Sequence, residues 1–348
     1  MDAVASTKPH RPLVARVFRA RNVLFVAGLL LIVTLGLERM SSSDDIFLVD
    51  RAHPVSPLVH VAGGHELANG GGIYYVDVLV RPATELEYLL GGLHSGSSLV
   101  PVENVNGPGV SASQEQQVGA YEMQTSQKVA AAVALQALGK KVTITNDGAL
   151  IEGVEQGLPA YDKLAPADVI VAIDGKKVST PAQVSDVMSG KPVGTRFTFS
   201  VLRGSRQRSV SLATVPTKPG SKRGVVGIYL APQQSIHLPV KVSINAHGVD
   251  GPSAGLAFAL EVLQQLGRNV DHGHKIAATG EIYLNGQVGA IGGIKQKTIG
   301  AREAGVEAFL VPTANAAEAR KYADGLRIIP VNNFQQALHA LATLSSNG

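Results

Sequence analysis

Two segments toward the C-terminal end of the chain carry the residues best suited to chemistry: Asp250-Gly251-Pro252-Ser253-Ala254-Gly255, and Gly292-Gly293-Ile294-Lys295-Gln296-Lys297. A serine hydroxyl becomes a nucleophile when a neighbouring base takes its proton, and a lysine amine brought in from another element can be that base. Small residues around Ser253 let a peptide carbonyl approach Oγ closely. A helix opening there aims backbone N–H groups and the positive end of its dipole at an oxyanion. Taken alone, a serine after such a turn is more often a helix cap; the lysine segment is what points to amide hydrolysis. The base must be a neutral amine, whereas an exposed lysine titrates near about 10.4. Burial beside Val288, Ile291 and Ile294 predicts a depressed value, because desolvation disfavours the ammonium.

Histidine offers a weaker alternative. His247 precedes Ser253 with Asp250 between them, but a Ser-His-Asp triad draws its members from distant segments, so His247 reads as a loop residue near a substrate groove. His272-Gly273-His274 is two loop histidines without a third ligand, a solvated loop rather than a metal site. No metal and no other cofactor is called for.

Several elements must position these residues. Leu256, Leu260 and Leu263 give the helix after Ser253 an apolar stripe, and a helix from Lys295 to Ala304 carries the lysines. A hairpin at Leu284-Asn285-Gly286-Gln287 and a strand Ala308 to Val311 lie around them, with a last helix near Phe334 to Leu344. Upstream, residues 40 to 71 read as a tether leading into a strand at Leu58 to Val61. Ile73 to Val80 follows as one strand, then a short helix over Pro82 to Leu93. An Ala-rich helix over Val118 to Leu138 is stopped by Gly139. From Val142 to Val215 the texture changes to short strands with one helix near Pro181 to Ser189. Gly220 to Gly224 reads as a linker into strands at Val225 to Leu230 and Pro239 to Ile244.

The 348 residues are 45 % hydrophobic and 5 % aromatic, without tryptophan, which fits an aliphatic α/β globule and excludes disorder. The formal charge of +4 owes much to Lys8, Arg11, Arg16, Arg19 and Arg21; the rest is nearly balanced, so nucleic acid is not a partner. The absence of cysteine excludes disulfides and thiolate chemistry. After the basic run, Val23 to Leu37 is uncharged, roughly 24 Å of helix with Asn22 at about 1.5 Å per residue. We read a signal-anchor helix, with the N-terminus cytoplasmic and the working domains outside. A cleaved signal peptide is the rival, but Glu38-Arg39 stand where small residues would be needed.

The run from Gly157 through Pro159, Leu164, Asp168 and Ile170 to Asp174-Gly175 resembles the PDZ signature. Ala167 stands where that signature has glycine, so the turn is expected to form without a positive φ. The resemblance implies a module that binds extended tails or loops by strand addition.

Thr279-Gly280-Glu281-Ile282-Tyr283-Leu284-Asn285-Gly286-Gln287-Val288, with Ile291 to Lys297 and Ala301 to Val306, resembles the Lon protease (peptidase S16) domain, as does Asp250 to Gly255. The resemblance implies Ser253 as nucleophile, Lys297 rather than Lys295 as base, and Thr279 as the residue that hydrogen-bonds and orients the lysine. Asp250, Gly251 and Glu281 become supporting or shaping residues. Gly72 to Val80 and Glu122 to Gln127 look like the opening strand and first helix of the same domain, which implies that the PDZ-like module is inserted within it.

The expected fold is thus an α/β (α+β) Lon-type protease domain with an inserted β-rich PDZ-like domain, preceded by one N-terminal transmembrane helix. Its parts are a basic cytoplasmic segment (1–21), the anchor (22–40), the first protease part (41–139), the PDZ-like domain (140–216) and the second protease part (217–348). No G-x-x-x-x-G-K-[ST] occurs, so the expected enzyme is an ATP-independent endopeptidase of a bacterial cell membrane, acting outside the cytoplasm on unfolded or membrane-associated proteins. The resemblance also implies a homo-oligomer, a ring being one form. The rival from another class is a PDZ scaffold with a dead protease fold, against which the intact serine and lysine motifs count.

Overall fold

The computed structural model describes residues 13–65, 70–91, 93–106, 112–246, 248–249 and 251–344. The chain divides into two compact units, one of Met1–Leu48 and Val80–Val105, the other of Val49–Leu79 and Asn106–Gly348.

In the first unit the helix Leu13–Arg39 contains Asn22–Arg39, a segment long and apolar enough to cross a membrane. The expected tether begins instead as a strand, Ser41–Val49, paired antiparallel with Ser98–Pro101. The β-formers Ile46 to Val49 explain it, and Ile46 is fully buried. The expected helix over 82–93 shrinks to Glu85–Leu89, opened by a capping box between Thr84 and Glu87. The buried Glu87 accepts from Arg81 at 2.6 Å. Leu89, Leu90 and Leu93 are exposed and form no core stripe.

The second unit is built on a five-stranded sheet in the order His53–Pro54, Gly72–Tyr75, Lys275–Ala278, Ala308–Pro312, Arg327–Val331, parallel except for the first strand. Alternation along its central strands sets the two layers. Ile276, Ala278 and Leu310 face a core shared with the helix Gly255–Gln265 and the Ala-rich helix Ala112–Ala137. Ala277, Phe309 and Val311 face a second core with Ile294 and Ala301 of the helix Ile294–Glu303. The serine helix and the lysine helix therefore lie on opposite faces of one sheet. They meet where Lys275–Ala278 ends and Thr279-Gly280 begins, the carboxyl end of the parallel strands, where such folds place their sites. The single strand expected over 73–80 is two, Gly72–Tyr75 and Val78–Thr84; the break falls at Val76-Asp77.

The β-rich module has the strand order Arg206–Ala213, Arg196–Arg203, Val169–Ile173, Thr143–Val154, Ile228–His237 around its own core. Ile228–His237, assigned in sequence to the second protease part, pairs with Thr143–Val154 from Ile228↔Val154 to His237↔Thr143, and Gly224–Val225 pairs with Val215–Pro216. One expectation is corrected here. Ala167 does take a positive φ, +67°. Its N–H donates to Ile151 O at 2.9 Å, and the next residue, Asp168, is fully buried with Oδ1 2.7 Å from Arg203 Nε. These fixed neighbours impose the left-handed turn on a residue that disfavours it.

Candidate active site

Ser253 lies in the short turn Pro252–Ala254 that runs into the serine helix. Gly251, just before it, has φ +80°, a conformation suited to glycine, and donates to Gly119 O at 3.2 Å. A Cβ on Gly255 would meet Ser126 Oγ at 2.8 Å and Ile282 Cγ2 at 3.0 Å, so only glycine lets the turn seat this deeply. Ser126 Oγ donates to Pro252 O at 3.1 Å. The carbonyl of Ser253 itself accepts from Gly280 N–H at 2.8 Å and from the Thr279 hydroxyl at 3.1 Å. The nucleophile's backbone is clamped from the Ala-rich helix on one side and the sheet on the other.

Lys297 Nζ is 2.7 Å from Ser253 Oγ. The lysine is 5 % exposed, and burial lowers its pKa from 10.5 to about 8, with the Asp77 charge pulling the other way. Lys295, two residues earlier, points elsewhere: its Nζ sits 5.8 Å from the centroid of the Tyr322 ring. Helical periodicity separates the two amines. Thr279 is fully buried, and its hydroxyl donates to the carbonyl of Ser253. A threonine just past the strand Lys275–Ala278 thus reaches the serine turn directly.

Asp77 was not legible as a site residue. Its Oδ1 is buried without a hydrogen-bond partner among the described residues, and its pKa is raised, first by burial and then by Asp50. Potential ligand atoms of Asp50, His53 and Asp77 lie within 4.8 Å of one another, and His53 Nε2 is 3.2 Å from Asp50 Oδ2. Two glycines bring this cluster to the lysine helix. A Cβ on Gly300 would be 1.8 Å from Asp50 O, and one on Gly293 would be 2.7 Å from Val78 Cγ2. Gly293, Lys297 and Gly300 share one helix face at i−4 and i+3, so the two flanking segments close over the lysine. An acid interrupting the β-forming run Ile73 to Val80 was the available signal.

Asp250 and His247 lie outside the described residues. Glu281 accepts from the Tyr283 hydroxyl at 3.0 Å. His274 Nδ1 is 2.7 Å from Glu307 Oε2; His272 and His274 take no part in a metal-type grouping among the described residues.

The β-rich module holds a second site. Ile228–His237 is its edge strand, and the helix Pro181–Met188, capped by Thr180, borders it. Between them is a cavity of about 1230 Å³ lined by Leu158, Val184, Met188, Val226, Ile228 and Leu230 among others.

Residues 201–343 match the family model of the Lon protease (S16) C-terminal proteolytic domain, and residues 134–214 that of the PDZ domain. The two matched classes are thus an S16-type proteolytic domain and a PDZ domain, each over less than half of the chain. The chain is 42 % identical over 105 residues to the Lon protease of Mesomycoplasma hyopneumoniae, covering 29 % of this chain and 12 % of that protein. It is 38 % identical over 100 residues to Lon protease 2 of Bacillus subtilis, covering 28 % of this chain and 18 % of that protein. The chain thus spans less than a fifth of these relatives. Among solved structures, the PDZ domain of the SdrC-like protein from Listeria monocytogenes aligns at 24 % identity and a TM-score of 0.24, covering 26 % of this chain and 93 % of that one.

Proposed function

We propose that this chain is a membrane-anchored, ATP-independent endopeptidase in which Ser253 attacks the scissile carbonyl and Lys297 is the general base. The observation that carries the reading is the 2.7 Å contact between Lys297 Nζ and Ser253 Oγ, made by a lysine whose pKa is lowered to about 8. Such an amine is neutral in a useful fraction of molecules near neutral pH. It takes the serine proton as Oγ adds to the carbonyl, and returns it to the leaving amine as the acyl-enzyme forms; water then releases the acyl group with the same lysine as base. Two first-turn donors are committed, Gly255 N–H to Pro252 O and Leu256 N–H to Gly280 O, so the oxyanion is met by N–H groups ahead of them. Thr279 acts as a positioning residue for the serine.

The apolar helix Asn22–Arg39, preceded by a basic run, supports an anchor with the catalytic part outside the cytoplasm. The PDZ domain recruits unstructured segments to its edge strand. Ile228 to Leu230 line the PDZ cavity, and Ala231, Pro232, Gln234 and Ile236 of the same strand line a groove to which Pro252, the residue before Ser253, also belongs. The test is cleavage of an unfolded protein without nucleotide, wild type beside Ser253→Ala. The reading stands if only the wild type cleaves and falls if the variant keeps full activity or ATP is required.

A further inference from the structure

The short helix Glu85–Leu89 is inside out for a segment surrounded by water. Its buried side chain is an acid: Glu87 is 5 % exposed. Both Glu87 oxygens accept from Arg81, at 2.6 and 2.9 Å, Oε2 also accepts from Thr84 N–H at 2.9 Å, and His94 Nε2 is 3.0 Å from Oε1. A carboxylate so thoroughly paired can be buried, and it gathers Arg81, Thr84 and His94 around itself. The exposed side chains are the apolar ones. Leu89 is 63 % exposed, Leu90 and Leu93 57 % each, and Tyr88 47 %. Large apolar side chains presented together on a surface mark a contact with something apolar.

What lies beside these residues identifies that contact. Glu85 N–H donates to Met40 O at 2.8 Å, and Met40 alone joins the end of the apolar helix at Arg39 to the strand Ser41–Val49. The helix Glu85–Leu89 also lies against the helix Leu13–Arg39, Cα to Cα within 8 Å, and the Met40 bond puts that contact at the C-terminal end of the longer helix. No residue of Asn22–Arg39 is buried. Its 18 residues make about 27 Å of helix at about 1.5 Å per residue, against a hydrocarbon core of about 30 Å. The span therefore has no spare length with which to lift its end clear of a bilayer, and a linker of one residue, about 3.8 Å, gives no slack. Whatever depth Arg39 takes, Tyr88, Leu89 and Leu90 take a similar one, at the headgroup boundary that suits tyrosine and leucine side chains.

We propose that Tyr88, Leu89, Leu90 and Leu93 form a second membrane contact, inserting into the lipid interface beside the end of the anchor. The inference rests on the anchor reading above and goes beyond it: the segment after the anchor is seated on the bilayer and does not hang from it. Four side chains fall short of the ~800 Å² that each partner of a stable protein interface buries, whereas they suffice beside a helix that already holds the chain at the membrane.

The experiment uses the full chain in phosphatidylcholine nanodiscs. Because the sequence has no cysteine, Leu89→Cys, Leu90→Cys, Leu93→Cys and, within the anchor, Val33→Cys each give one site for an environment-sensitive fluorophore. Quenching by nitroxide-bearing phosphatidylcholine reports lipid contact and its depth; quenching by iodide reports water. We expect the labels at 89, 90 and 93 to be shielded from iodide and quenched by shallow nitroxides, about 5–10 Å into the boundary between headgroups and acyl chains. The label at 33 should lie deeper, being about 9 Å further along the helix. Labels at 89, 90 and 93 that iodide reaches and nitroxide lipid does not, with the label at 33 quenched by lipid, overturn the inference and leave the anchor reading intact. Labels shielded from iodide yet untouched by nitroxide lipid overturn it in favour of a second copy of the chain as the cover. A label at 33 outside the lipid overturns both readings. The three positions are read separately, so where circular dichroism shows one variant misfolded the other two decide.

Discussion

Lys297→Met is expected to abolish cleavage and at the same time to change how stability depends on pH. In the folded chain the lysine's pKa is about 8 against an ordinary 10.5. Between those values the unfolded chain binds a proton that the folded chain does not, so wild-type stability rises with pH there. The slope is about 1.4 kcal/mol per pH unit and the total ~3 kcal/mol. Below pH 8 both states hold the proton and the whole penalty of burying an ammonium is present; above about 10.5 it is gone. Methionine, of similar shape and uncharged, removes the titration. The assay is thermal denaturation of wild type and variant at intervals from pH 7 to pH 10, read as the difference between them. The variant's advantage should be greatest at pH 7 and should decline steadily above pH 8. Because Asp77 loses its nearby cation in the variant, the change of the difference with pH, not its absolute size, is diagnostic. A difference that is flat from pH 7 to pH 10 would falsify the claim that a desolvated amine sits in this site.

Peptide cleavage by the wild type should rise about tenfold from pH 7 to pH 9, as the neutral fraction of a base near 8 climbs from about a tenth to about nine-tenths. In Asp77→Asn the carboxylate that raises the lysine's pKa is gone, so the rise should move to lower pH; a merely structural role for Asp77 would lower rates without moving it. Ala167→Gly should stabilise the PDZ domain by about 1 kcal/mol, since the residue holds φ +67°, and equal or lower melting temperature in that variant would count against the strain. Joining Gly139 directly to Gly220 should yield insoluble protein, because the strand Ile228–His237 loses the partner Thr143–Val154 and becomes an open edge. A join from Gly139 to Leu238 removes both strands and should stay soluble, as soluble yield and circular dichroism of the two shortened chains will tell.

The serine and lysine segments were legible because the site is encoded locally. Gly251, Gly255 and Gly293 mark the two turns, and the apolar spacing around Ser253 and Lys297 announces helices, although the burial of the serine helix on every side exceeds what its leucine stripe implies. What could not be read were relations between distant segments. Asp77 approaches Lys297 only because Gly293 and Gly300 leave room for Val78 and Asp50, contacts across more than two hundred positions that no local pattern carries. The partner of Thr279 depends on which end of the sheet meets the serine turn. Ile228–His237 has a strand's composition wherever it belongs, and its place in the PDZ sheet is fixed by pairing with residues some eighty positions earlier. Ala167 deceived the reading in the opposite sense: the local rule that alanine avoids positive φ is sound, and the buried Asp168–Arg203 pair overrides it.

The stretch just past the apolar helix Asn22–Arg39 is tied into the packing around Ser253 and Lys297. Ala52 N–H bonds Gly300 O on the lysine helix, Val55, Val59 and Val61 are core residues, and Val59–Val61 pairs with Val242–Ile244 on the approach to the serine turn. Residues 40–51 separate the end of the helix at Arg39 from these contacts, and Ser41–Val49 among them is itself a paired strand. A cut in that strand would break its pairing with Ser98–Pro101, and a cut a few residues later would strip contacts from the helix that carries Lys297. The segment that follows the apolar helix is thus part of the packing around the lysine and serine helices and not a spacer.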